Sequence, residues 1–200
     1  MRLIIVDDRH YFRFVALSEI LFDFFEDDEG VEVLDIPEAR RRIRFGSQCY
    51  DEILIIGTLT FCRLQYLLKF LVRNGYRVPI KILLFSDIFG LKILNGPLLL
   101  SKNCALLSAS IAQDELLSII KGDTPVFHNR SKGTVAFTRN DRHILERWSH
   151  IINGEPDSAA MTKNDYQISR RLKLRTRINN ELSLYLLWRF SRNLSELEGV

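Results

Sequence analysis

The stretch Arg2–Leu21, RLIIVDDRHYFRFVALSEIL, decides the reading of the first half of the chain. Leu3–Val6 is an unbroken apolar run, which suits a strand buried on both faces. It ends in two adjacent acids, Asp7 and Asp8, after which Phe14, Leu17, Leu21 and Phe24 recur at helical spacing. The unit is a strand, an acidic turn and an amphipathic helix. At the carboxyl end of a strand in an open parallel sheet, such a pair of carboxylates can hold a hard cation or can be a solvated turn.

The same unit recurs. Val31–Ile36 alternates apolar and acidic residues and reads as a strand near an edge, followed by Pro37 and a short basic helix, Glu38–Phe45. Its arginines 40, 41, 42 and 44 read as a solvated face. Ile53–Ile56 and Ile80–Phe85 are further apolar strands, with a helix over Phe61–Arg73 between them that ends at Asn74-Gly75. A weak helix is expected over Asp87–Leu94, a short strand over Cys104–Leu107 and a helix over Ala112–Lys121. Five β-α units in sequence predict a five-stranded, doubly wound parallel sheet over residues 1–121.

Gly122–Lys132 breaks the rhythm, so residues 122–136 read as a linker and 137–200 as a small helical domain. Thr138 is a candidate N-cap with Asp141 three residues on, and Ile144, Leu145, Trp148, Ile151 and Ile152 share one face of the helix that follows. Asp157–Met161 is a turn or so of helix. Asn164 or Asp165 is expected to cap a helix to about Ile178, and Glu181–Leu194 is the last helix.

Composition limits the function. At 46% hydrophobic and 26% charged, the chain is globular. No apolar run reaches the roughly 18–20 residues that span a bilayer, and the N-terminus does not read as a signal peptide. Cys49, Cys62 and Cys104 read as core residues of a cytoplasmic protein, too scattered for a disulfide framework or zinc site. Residues 1–129 hold 15 Lys+Arg and 17 Asp+Glu, whereas 130–200 hold 13 and 8, so a basic C-terminal third follows a mildly acidic body. There is no glycine-rich phosphate loop and no nucleophile elbow, and the histidines lack metal spacing. No enzyme activity, cofactor, metal or small-molecule substrate is expected.

Ile4-Ile5-Val6-Asp7-Asp8 with Tyr11-Phe12-Arg13, and later Phe137-Thr138-Arg139 with Ile144-Leu145, resemble the two-domain response regulators of the NarL/FixJ type. The resemblance implies a receiver domain followed by a LuxR-type helix-turn-helix domain. It also implies a phosphoacceptor aspartate at the end of the third strand and a lysine at the end of the fifth. Those places fall here on Ile56 or Gly57, and on Ser108; only Ser86 and the acid pair remain. Phosphoryl transfer needs a carboxylate nucleophile, a cation and a positive group on the phosphoryl oxygens. The expectation is a degenerate receiver with Asp7 and Asp8 as surface acids and at most weak Mg2+ binding, similar to the RcsA-like auxiliary regulators.

By the same resemblance, Asp165–Ile178 is the helix that enters the major groove of duplex DNA. Either Gln167 or Ile168 takes the family's buried valine position. With Gln167 there, Leu174 and Ile178 fall on apolar positions, and Arg170, Lys173 and Arg177 form a basic stripe. Lys163, Ser169 and Arg171 complete the expected DNA-contacting set. The preceding scaffold helix is about one turn short. The expected partners are double-stranded DNA and either a second copy or another response regulator; the other reading is a protein-only adaptor that never touches DNA.

Overall fold

A computed structural model describes every residue except 9, 46–48, 90–96, 124–125, 127–136, 153–160, 177 and 199–200, and gives only the backbone of 61, 88 and 194–198. Among the described residues it contains a six-stranded sheet and seven α-helices. The strands are β1 (Arg2–Asp7), β2 (Val31–Asp35), β3 (Glu52–Gly57), β4 (Ile80–Phe85), β5 (Leu98–Leu99) and β6 (Cys104–Leu107). They lie in the order β2-β1-β3-β4-β6-β5. All neighbours are parallel except β5, which pairs antiparallel with β6 through Leu98–Leu106 and Leu99–Ala105. The sixth strand departs from the expected five. At two residues it is too short to leave a periodic trace.

The continuous apolar runs are explained by burial on both sides. Leu3, Ile5, Ile53 and Ile55 enter one core cluster, while Ile4, Val6, Leu54 and Ile56 enter the other. Side chains alternate along a strand, so a run without polar residues is what two covered faces require. The helices α1 (Tyr11–Phe25) and α4 (Gln113–Lys121) cover one face through Leu17, Leu21, Leu116 and Ile120. The helices α2 (Ile36–Phe45) and α3 (Phe61–Arg73) cover the other through Ala39, Ile43, Leu64, Leu67 and Leu71. Each fully buried leucine or isoleucine contributes roughly 1.5–3 kcal/mol of transfer free energy.

Local signals set the helix ends. Asp35 accepts from the Glu38 amide at 2.7 Å to start α2, and the Thr60 hydroxyl accepts from the Arg63 amide to start α3. Gly122, at φ 93°, closes α4. Where a longer helix was expected after β4, only a 3-10 turn, Ser86–Phe89, lies within the described residues. Of the cysteines only Cys104 is buried, whereas Cys49 and Cys62 are exposed. Neither exposed cysteine is in a strand or on the inward stripe of a helix, so the expected core role fails for both.

The remaining helices are α5 (Arg139–Ile152), α6 (Lys163–Thr176) and α7 (Glu181–Glu198). Their core of Ile144, Leu145, Trp148, Leu172, Leu184, Leu187 and Trp188 belongs to the same cluster as the α2/α3 face of the sheet. The junction includes Phe89 edge-on to Phe190 of α7 at 5.4 Å, and the Ser191 hydroxyl donating to the Leu100 carbonyl at 3.3 Å. The expected linker falls almost wholly outside the described residues, as does nearly all of the expected short helix before Met161. No described helix is long and apolar enough to cross a membrane.

Candidate functional site

At the carboxyl end of β1 the two acids are not surface groups. Asp7 is 8% and Asp8 9% exposed. Arginines explain how charges survive there. Arg13, one turn into α1, donates Nε to Asp8 Oδ2 at 2.6 Å and Nη2 to Asp8 Oδ1 at 3.1 Å. The His10 amide adds a third bond to Asp8 at 2.8 Å. The same Arg13 Nη2 donates to Asp87 at 2.9 Å, and its guanidinium lies over the Phe85 ring at 4.9 Å. Arg63, in the first turn of α3, stands 3.2 Å from Asp7 Oδ1. Asp7 Oδ2 is buried without a hydrogen-bond partner among the described residues. Burial pushes the Asp7 carboxyl up from its ordinary value; Arg63 opposes this, and Asp8 and Asp35 add to it. Two guanidinium groups thus occupy the charge-neutralising role, and three of the four carboxylate oxygens are engaged. This donor set does not fit a divalent cation, which needs several free oxygens.

The position opposite is closed to any side chain. Gly57 pairs in register with Asp7 and has φ 145°. A Cβ built on it would lie 1.7 Å from the Asp7 carbonyl oxygen. Ile56, the other place at which a phosphoacceptor was sought, is wholly buried in the α1/α4 core. Ser86 is buried, and its hydroxyl accepts from the Ala109 amide at 3.3 Å. Ser108 turns to its own loop, its Oγ 2.9 Å from Ser110 Oγ. Asp7, Asp8, Gly57, Ser86 and Ser108 therefore all sit at the carboxyl ends of strands β1, β3, β4 and β6, and Gly57 lacks a nucleophile because the backbone leaves it no room.

The helical region presents a different chemistry. Thr138 and Asp141 close a reciprocal capping box at the start of α5, with Thr138 N to Asp141 Oδ2 at 2.6 Å and Asp141 N to Thr138 Oγ1 at 3.3 Å. The start of α6 is built identically from Thr162 and Asp165, at 2.8 and 3.2 Å. The expected caps, Asn164 and Asp165, thus lie two and three positions beyond the true cap, Thr162. A signal for this lay in the chain: Phe137-Thr-Arg-Asn-Asp-Arg-His-Ile144 recurs as Met161-Thr-Lys-Asn-Asp-Tyr-Gln-Ile168. Each box is then gripped from the other helix, Arg147 of α5 on Asp165 and Arg175 of α6 on Asp141. The hydrogen bond from the Thr162 backbone holds the Asp165 carboxyl below its ordinary value against the opposing effect of burial, with further help from Arg147 and His143.

These contacts fix which way α6 faces. Asp165, Ser169, Leu172 and Thr176 are buried, and Ile168 packs against the core. Ser169 is therefore removed from the expected contact set. Gln167 is exposed and Ile168 takes the inward position. Leu174, expected to be apolar core, is 71% exposed, because Leu172 fills the inward place one helix face away. Lys173 is half-buried and bonded to Glu181 of α7 at 2.7 Å, which breaks the expected stripe; Arg177 lies outside the described residues. The outward face is Lys163, Tyr166, Gln167, Arg170 and Arg171, with Leu174. Comparison with protein-family models, with curated proteins and with solved structures gives no match to this chain.

Proposed function

We infer that the protein is a transcriptional regulator that binds double-stranded DNA without phosphorylation, as a homodimer or with another response regulator. In this reading the sheet region is a receiver-like domain, doubly wound and deprived of its switch, and the protein works in the cytoplasm. The observation that carries the reading is α6. It holds five Lys/Arg against one acid, and that acid is turned inward and neutralised. Lys163, Arg170 and Arg171 stand outward beside the hydrogen-bonding Gln167 and the aromatic Tyr166. Cations of this kind engage phosphates, while glutamine and arginine can read base edges.

α7 follows α6 after a connection of only four residues, with Ile178 buried in it, the turn length of a helix-turn-helix. Its exposed residues, Glu181, Leu182, Leu186, Arg189 and Arg192, carry two cations where α6 carries five, and are less suited to phosphate contact. The bare Leu174 on the basic face favours a second reading, a protein-only adaptor. An electrophoretic shift on bulk genomic fragments separates these possibilities. Arg170→Ala/Arg171→Ala should weaken binding at least tenfold while Arg189→Ala changes it less. No shift at any salt supports the adaptor.

A further inference from the structure

The two faces of the sheet carry opposite charge. On one side α2 and α3 together hold seven Lys/Arg and a single acid, Glu38. On the other, α1 with the turn 26–29 and α4 hold eight acids and two cations, one of which is the Arg13 already committed to Asp8 and Asp87. The arginines of α2 are thus one edge of a larger surface that only the packing of α2 beside α3 assembles.

The joint between these helices is ordered by stacking. The Arg40 guanidinium lies 5.1 Å from the centroids of both Tyr66 and Phe70, and it donates to the Tyr66 hydroxyl at 3.0 Å. One turn on from Arg40 in α2 is Arg44, and one turn on from Tyr66 and from Phe70 in α3 are Lys69 and Arg73. All three are exposed, and no ion pair to them is found among the described residues. Tyr66 is 57% exposed in the middle of the patch. The core of α5–α7 is continuous with this side of the sheet and not with the acidic side. The basic α2/α3 side would attract a polyanion, and the acidic α1/α4 side would repel one.

We propose that the α2/α3 face is a second DNA-contacting surface, which takes the phosphate backbone of duplex flanking the segment held by the helical region. This rests on the DNA reading above. The partner chemistry is a regular polyanion, because the exposed cations are spread along two helices, and such contacts position without reading sequence.

The full chain and its Arg44→Gln/Lys69→Gln/Arg73→Gln variant are titrated with mixed-sequence duplexes of about 15 and about 40 base pairs, roughly one and a half and four helical turns. The wild type should bind the longer duplex more tightly than its extra sites alone explain. The variant should lose that advantage, and its slope of log affinity against log salt should fall by about 2–3 on the longer duplex only, since each phosphate contact contributes about 0.9. An unchanged slope on the longer duplex overturns the proposal, and coupled to lost self-association it reassigns the patch to a protein partner. If the wild type binds neither duplex, the DNA reading itself fails. If Arg170→Ala/Arg171→Ala abolishes binding but the patch variant is silent, only this inference does.

Discussion

Asp7 and Asp165 are both buried aspartates within reach of an arginine, at 8% and 3% exposure, yet their carboxyls shift in opposite directions. Asp165 closes a capping box, accepts from both the amide and the hydroxyl of Thr162, and meets Arg147. Among the described residues, Asp7 has one ion pair, to a half-exposed arginine, and one buried oxygen with no partner. Burial penalises both charges equally in kind; hydrogen bonds decide the sign. The helical region is thus electrostatically satisfied, while the sheet's acidic end keeps a buried carboxylate oxygen that no described residue hydrogen-bonds, beside a closed glycine.

The comparison can be broken at four places. The largest effect is expected from Gly57→Ala, which must displace the Asp7 backbone and adopt a conformation L residues rarely take. It should cost on the order of 4–5 kcal/mol, read as insoluble expression or a large fall in urea midpoint. Arg13→Ala strands Asp8, whose side chain has no exposed area, and should cost about 3 kcal/mol by the same measurement. Asp165→Asn weakens a cap and an ion pair together, for about 1–2 kcal/mol at neutral pH. Its folded carboxyl lies below the ordinary 3.8, so this contribution is complete above that value and disappears as pH falls through the folded one. Asp7→Asn should do the reverse and stabilise by roughly 0.5–2 kcal/mol at neutral pH. Because the Asp7 carboxyl is raised, the folded state binds its proton more readily, and the advantage of the variant shrinks as pH falls toward 3.8. Equal pH profiles for the two asparagine variants would contradict the contrast.

Much of the architecture was legible because burial on two faces writes itself into a strand as an unbroken apolar run, as in Leu3–Val6, Ile53–Ile56 and Ile82–Phe85. The cap at Thr138 was legible for a similarly local reason. The register of α6 was not. The Thr162 box repeats an earlier motif, but the inward stripe after it is Ile168, Ser169, Leu172 and Thr176, half of it polar, so Asn164 and Asp165 attracted the cap assignment and Leu174 the core. Nor were the pairings that define both sites: Arg13 with Asp87, Arg147 with Asp165 and Arg175 with Asp141 join residues 18 to 74 positions apart. The closure of Gly57 needs the β1/β3 register, which no spacing encodes.

The most direct test is a titration of duplex DNA into the full chain at two salt concentrations, each with and without beryllofluoride and Mg2+. Binding that weakens steeply with salt and is indifferent to beryllofluoride is the expected result. No binding, or affinity that changes when beryllofluoride is present, would contradict a regulator whose strand-end site is shut.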